Sequence, residues 1–322
     1  VAIREERTQT RAECPRCGYD LSGAVATWSD RCPVEGLCSE CGLGFRWSDV
    51  LGPERLAPEW SFEHGGGGAG LGAGSRAGRF VRTFARALRP RGPWGSLPLG
   101  APIHAGRLAL FAVMVAGVAH AGTAAAGMVM SLSAWRGPGW PSVNVLFPGV
   151  PGRAGEVLSL ALMPLASGGT IPVVPSPLVR LGLLWGALTP LPFLLLPATM
   201  SRARVRRAHL WRGWVLFLPV LCAVLLGAEV VVTAVHRWLT SGAGWRPWMS
   251  VMLRWAPALL LALPAWYWSW WRAFTERYLR LEHARGVTLA MLVIAFLLAA
   301  IALLLAGPGL ADELGAMWVG LR

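Results

Sequence analysis

The chain has 322 residues, 54% of them hydrophobic and only 15% charged, with a formal net charge of +13. Globular domains carry about a quarter charged residues, so this balance falls outside the soluble range and makes bilayer the expected solvent for much of the chain. Every one of the 30 basic residues is arginine. GC-rich coding alone produces that bias, so the positive charge argues for a nucleic-acid partner only if its placement does.

Polar and Gly-rich sequence runs to about Arg107, and nearly all long apolar runs follow it. The first element is cysteine-rich. Cys14-Pro15-Arg16-Cys17-Gly18 and Cys38-Ser39-Glu40-Cys41-Gly42 form two CxxCG units about twenty residues apart, the spacing of four-cysteine zinc ribbons. Each CxxC turn sets two thiolates on one side of a tight loop, and the glycine after it can take the positive φ that turns backbone N–H groups toward sulfur. Cys14, Cys17, Cys38 and Cys41 are therefore the expected ligands of a structural Zn(2+). Four thiolates close the coordination shell and leave no position for water, so metal-assisted hydrolysis is not expected. Iron in a rubredoxin-like tetrathiolate is the alternative metal. Cys32 lies six residues before Cys38; it either replaces one of the four or is a small residue in the loop, whereas Cys222 sits in an apolar run as a packing residue. The clustered cysteines follow no charged-then-apolar leader, so the head is expected to stay in a reducing compartment.

The run Cys14-Pro-Arg-Cys-Gly-Tyr-Asp-Leu-Ser-Gly23, followed by Cys38-Ser-Glu-Cys-Gly42 and Phe45, resembles a family of uncharacterised bacterial membrane proteins with an N-terminal zinc ribbon. The resemblance covers about the first fifty residues. It implies a ribbon joined to a membrane segment and supplies no activity. Ala24 to Leu37 makes a longer spacer than the commoner form of that pattern, and it carries Trp28 and Cys32.

The head is expected over residues 1–60, with a Gly-rich linker over 61–78 acting as a flexible tether. No phosphate-binding motif accompanies these glycines. Over 79–92, Arg79, Arg82, Arg86 and Arg89 recur at helical spacing, with Phe80, Val81, Phe84 and Leu88 available as an opposing stripe. This reads as an amphipathic helix lying on the anionic inner leaflet of the lipid bilayer. Lipid explains the basic stripe, so nucleic acid is disfavoured as a partner.

Residues 107–322 form the membrane domain, with spans expected at about 108–131, 178–200, 214–235, 251–271 and 287–306. Prolines and glycines interrupt the apolar segment 157–174, which reads as re-entrant or surface-lying. Arg202, Arg204, Arg206, Arg207 and Arg212 crowd one short loop, and Arg272, Arg277, Arg280 and Arg285 another. Five crossings put both loops on the side of the arginine-rich head, which predicts a cytoplasmic N-terminus and an outer C-terminus in the bacterial inner membrane. Trp211, Trp214, Trp238, Trp255, Trp266, Trp268, Trp270 and Trp271 fall at span ends as interfacial anchors. Gly182 and Gly186 supply a GxxxG spacing for close helix contact. The fold class is thus mainly α: a helical transmembrane bundle of about five spans behind a small four-cysteine ribbon with short β-strands.

Ionisable side chains within spans cost free energy unless partnered, which singles out Glu229 and His236, seven residues apart on one helix face, and His120. They form either a polar transport site or a packing hydrogen bond. No HExxH, GxSxG or paired intramembrane aspartates occur. The expected role is a membrane-tethered docking or regulatory module that reaches a protein partner through its ribbon. The rival is a small-solute or ion transporter using Glu229.

Overall fold

The computed structural model describes residues 12–64, 75–134, 177–195, 205–240 and 261–305; within these helices the side chains of 127–134, 177–178, 194–195, 229 and 232–240 lie outside the description. In chain order the elements are α1 (Ser22–Ala26), β1 (Glu35–Leu37), β2 (Gly44–Arg46), α2 (Trp47–Leu51), α3 (Arg76–Ala87), α4 (Ala105–Ala134), α5 (Pro177–Leu188), α6 (Leu191–Leu195), α7 (Arg207–Thr240), α8 over 261–273 and α9 (Ala284–Leu305). The fold is mainly helical, and the only sheet among the described residues is the antiparallel pair β1–β2.

The chain divides into two compact units. The first comprises Val1–Ala109, Pro190–Leu216 and Ser269–Met291, and the second Leu110–Thr189, Phe217–Trp268 and Leu292–Arg322. The ribbon therefore belongs to one unit with the arginine-bearing segments around 206–212 and 272–285.

Within the first unit, the ribbon's small core is Leu21, Leu43, Phe45, Trp47 and Val50, all buried. Trp47 takes Trp28 edge-on at 4.6 Å and Phe45 at 5.0 Å, which ties the long spacer back onto the hairpin. The chain then continues as buried structure through Trp60, Ser61, Phe62 and Glu63, so the first residues of the expected linker are core. Residues 65–74 of that linker lie outside the described residues.

The amphipathic helix expected over 79–92 is α3, capped by the Ser75 hydroxyl, which accepts from the Gly78 N–H at 3.0 Å. Its buried stripe is Arg79, Thr83 and Ala87, spaced at i, i+4. Thr83 Oγ1 donates to Trp60 O at 3.1 Å and accepts from Phe62 N–H at 2.9 Å, and Trp270 Nε1–H donates to Ala87 O at 2.8 Å. A hydroxyl that closes two backbone valences decides which face turns inward, and it carries Arg79 with it. Val81 stays exposed on the opposite side.

Trp270 and Trp271 correct the interfacial reading given to them. Both are fully buried, and Trp94, Trp270, Phe274 and Tyr278 form a continuous cluster, with Trp94 meeting the other three at 4.9–5.1 Å between ring centroids. Burial of such area outweighs interfacial anchoring. The described residues of 266 and 268 are partly exposed.

In the second unit, Gly182 and Gly186 provide the close approach expected of them. A Cβ at Gly182 would come within 2.9 Å of Leu263, and one at Gly186 within 2.8 Å of the Tyr267 hydroxyl. Tyr267 OH donates to Gly182 O at 2.9 Å, and Trp185 Nε1–H to Leu292 O at 2.8 Å.

Three helices among the described residues are long and apolar enough to cross a membrane: Ala105–Ala126, Arg207–Ala228 and Ala284–Leu305. They coincide with three of the five expected crossings. The remaining two are not carried by the described residues. α5 has 12 residues and stops before Pro190, which cannot donate to the helix and biases its neighbour away from helical geometry; Thr189 Oγ1 donates back to Trp185 O at 2.8 Å. Of the expected span 251–271, residues 251–260 lie outside the described set, as does the segment 157–174. On α9, exposed Leu289, Val293, Leu297, Ile301 and Leu304 form a face that water would not tolerate and acyl chains would.

Candidate metal centre

The two CxxCG units fold as near copies. Gly18 N–H donates to Cys14 O at 2.9 Å and Gly42 N–H to Cys38 O at 2.9 Å; Cys14 N–H donates to Tyr19 O at 2.8 Å and Cys38 N–H to Leu43 O at 3.0 Å. Gly18 and Gly42 hold φ of 80° and 67°, a region that costs an L-residue with a Cβ about 1–2 kcal/mol. A Cβ on Gly18 would also run into the Arg206 guanidinium.

These turns bring four sulfurs together. The ligand atoms of Cys14, Cys17, Cys38 and Cys41 all lie within 4.8 Å of one another, with Cys14 Sγ 3.6 Å from Cys41 Sγ and Cys17 Sγ 3.7 Å from Cys38 Sγ. A tetrahedral ion with metal–sulfur bonds of about 2.3 Å requires sulfur separations of about 3.8 Å, so the donor set fits a tetrathiolate ion. All four are free of disulfides, and Cys14 and Cys38 are buried. Burial pushes the Cys14 and Cys17 thiols above the ordinary cysteine range, so a cation is what would hold those two ionised. Cys32 is exposed, and its thiol faces only the Pro33 carbonyl at 3.3 Å; it takes no part in the cluster. Cys222 is buried on α7.

The first turn is seated on residues far away in sequence, which no local signal revealed. His209, on the first turn of α7, has one ring nitrogen 2.7 Å from the Pro15 carbonyl and the other 2.8 Å from the Tyr278 hydroxyl. Tyr278 OH also accepts from Arg212 Nη1 at 2.8 Å. Arg212 Nη2 pairs with Glu63 Oε1 at 2.9 Å, with side-chain exposures of 0% and 3%. That carboxylate oxygen also accepts from His104 N–H at 2.8 Å, while Arg212 donates to the carbonyls of Ala101 (3.2 Å) and Pro102. Arg16 adds contacts to the carbonyls of Cys41 and Arg280, and Arg206 donates its N–H to Arg16 O at 3.0 Å and pairs with Glu13.

The proton positions in this chain of bonds are fixed by elimination. A peptide carbonyl only accepts, so His209 Nε2 carries the proton. Burial, with the Arg212 cation beside it, disfavours a second proton on the ring, so Nδ1 accepts; Tyr278 OH therefore donates to His209 and accepts from Arg212.

Of the three expected intramembrane positions, His120 is half-buried on α4, where its carbonyl accepts from Thr123 Oγ1 at 2.9 Å. Glu229 and His236 lie on α7, and their side chains fall outside the described residues.

Comparison of the chain with protein-family models, curated proteins and solved structures returns no match.

Proposed function

We propose that this is a bacterial inner-membrane protein whose cytoplasmic ribbon holds Zn(2+) as a structural ion and offers a docking surface to a protein partner. The observation that carries this reading is the pair Val34 and Leu37, 75% and 72% exposed, on and beside β1 of a ribbon whose Leu21, Leu43, Phe45, Trp47 and Val50 are buried. The first CxxCG turn is occupied by residues of the same chain, whereas residues 29–35 of the spacer are exposed. The closed thiolate shell supports a scaffold rather than catalysis.

In this reading α4, α7 and α9 cross the bilayer, and the runs at 178–200 and 251–271 supply two further crossings. The arginine distribution then puts the N-terminus in the cytoplasm and the C-terminus outside. The exposed side of α3 rests on the inner leaflet.

Two measurements test this. Val34→Ser/Leu37→Ser, at equal membrane abundance and metal content, is expected to lose a protein that the native chain retains in mild detergent. Identical co-purifying sets would remove the docking role and make a flux assay of Glu229→Gln in reconstituted vesicles the decisive comparison for the transporter rival. For orientation, Cys32 is a natural reporter. A membrane-impermeant maleimide should spare it in intact cells and label it after permeabilisation, with Cys32→Ser as the control; labelling in intact cells would place the head outside.

A further inference from the structure

We propose that metal occupancy of the ribbon locks the membrane-proximal segment 206–212 and the turn 278–280, with His209 and Tyr278 as the positioning residues that carry the lock. The proposal rests on metal binding by the ribbon and is independent of any docking partner.

Pro15 and Arg16 are the two residues between the ligands Cys14 and Cys17, so an ion holding both sulfurs fixes both carbonyls between them. Those carbonyls are the ones used: Pro15 O by His209 at 2.7 Å and Arg16 O by the Arg206 N–H at 3.0 Å. From His209 the bonds continue through Tyr278 and Arg212 to Glu63. His209 and Tyr278 are 2% and 1% exposed while the ribbon is seated on them, so both bonds are shielded from water in the folded unit.

Each member has one donor direction, as argued above, and none can turn without leaving a buried polar atom unsatisfied. Four-thiolate ribbons fold with their metal and lose their turns without it. Metal loss would release the Pro15 carbonyl, take from the His209 N–H its partner and loosen the two segments bonded through it. Arg206, held by Arg16 O and Glu13, would be freed with them. Linkage makes the effect reciprocal: whatever weakens the relay must weaken metal affinity by the same factor.

The test uses the intact chain in detergent, with metal content measured before and after chelation and again after zinc is restored. Hydrogen exchange of peptides covering 205–212 and 276–283 is expected to speed up on chelation and recover with zinc. Tyr278→Phe, which keeps the ring and removes the donor, is expected to lower zinc affinity roughly tenfold. Thr275→Val, a buried change in the same unit but outside the relay, should leave that affinity unchanged. Faster exchange confined to the ribbon, with both segments unaltered, would overturn the proposal, as would an unchanged zinc affinity in Tyr278→Phe. A chain that carries no metal and takes up none would instead overturn the ribbon reading beneath it.

Discussion

Removal of the metal is expected to unfold the ribbon while leaving the chain in the membrane. The purified protein should hold one ion per chain, and each of Cys14→Ser, Cys17→Ser, Cys38→Ser and Cys41→Ser should abolish that stoichiometry, whereas Cys32→Ser should preserve it. The size of the effect follows from how little else holds the head. Its own core amounts to a few side chains around Trp47, and domains this small seldom fold on hydrophobic burial alone. Metal binding to such a site contributes roughly 10 kcal/mol or more. Because the ligands must be thiolates, affinity should fall as pH falls and protons compete for sulfur. Elemental analysis of the purified chain identifies the ion. A cobalt-substituted sample should show the visible bands of a tetrahedral tetrathiolate, and an iron-loaded native sample would replace zinc in this account without changing the ligands. Retention of metal by Cys41→Ser with loss in Cys32→Ser would refute the ligand assignment.

The four-cysteine cluster was legible because the geometry of each turn is local, although the seat of the first turn on distant residues was not. A CxxCG turn closes its own hydrogen bonds within five residues, and the same bonds recur at Cys14–Gly18 and Cys38–Gly42. Three helices long and apolar enough to span a membrane were legible for a similar reason, since an apolar run needs no knowledge of its neighbours. Spacing alone left Cys32 open, because a loop of fourteen residues can fold a thiol inward or outward; the Trp28–Trp47 contact fixes the spacer and leaves Cys32 in solvent. Arg212 shows what a pattern hides. The positive-inside rule accounts for an arginine at this position whether it lies in water or in the core, so nothing in the loop distinguished Arg212 from Arg207. The first is 0% exposed and the second is exposed. Trp270 and Trp271 were ambiguous in the same way, because a tryptophan at a span end suits an interface and an aromatic core equally well. In α3 the helical period was visible, but which stripe turned inward depended on the backbone of Trp60 and Phe62, more than twenty residues away in sequence.

Glu63→Gln is expected to destabilise the first unit by about 3–5 kcal/mol, because it strands the Arg212 cation in the interior without a counter-charge. The pair joins residues 149 apart in sequence, so its loss is felt between elements rather than within one. Arg212→Met should cost a comparable amount by a different route. It removes the donor that serves the Ala101 and Pro102 carbonyls and the Tyr278 hydroxyl as well as the carboxylate. The double variant Glu63→Gln/Arg212→Met should therefore be less damaging than the sum of the two, with a coupling of about 1–3 kcal/mol, yet should not return to the native value because the two carbonyls stay unpaired. An apolar substitute restores stability only where no further polar group depends on the ion pair, and here several do. Thermal unfolding in detergent, followed by tryptophan fluorescence, reads this directly because Trp60, Trp94, Trp270 and Trp271 are buried in the same unit. Single variants that melt like the native chain would mean that water reaches Arg212, and the buried relay from Glu63 to the Pro15 carbonyl would then lose its premise.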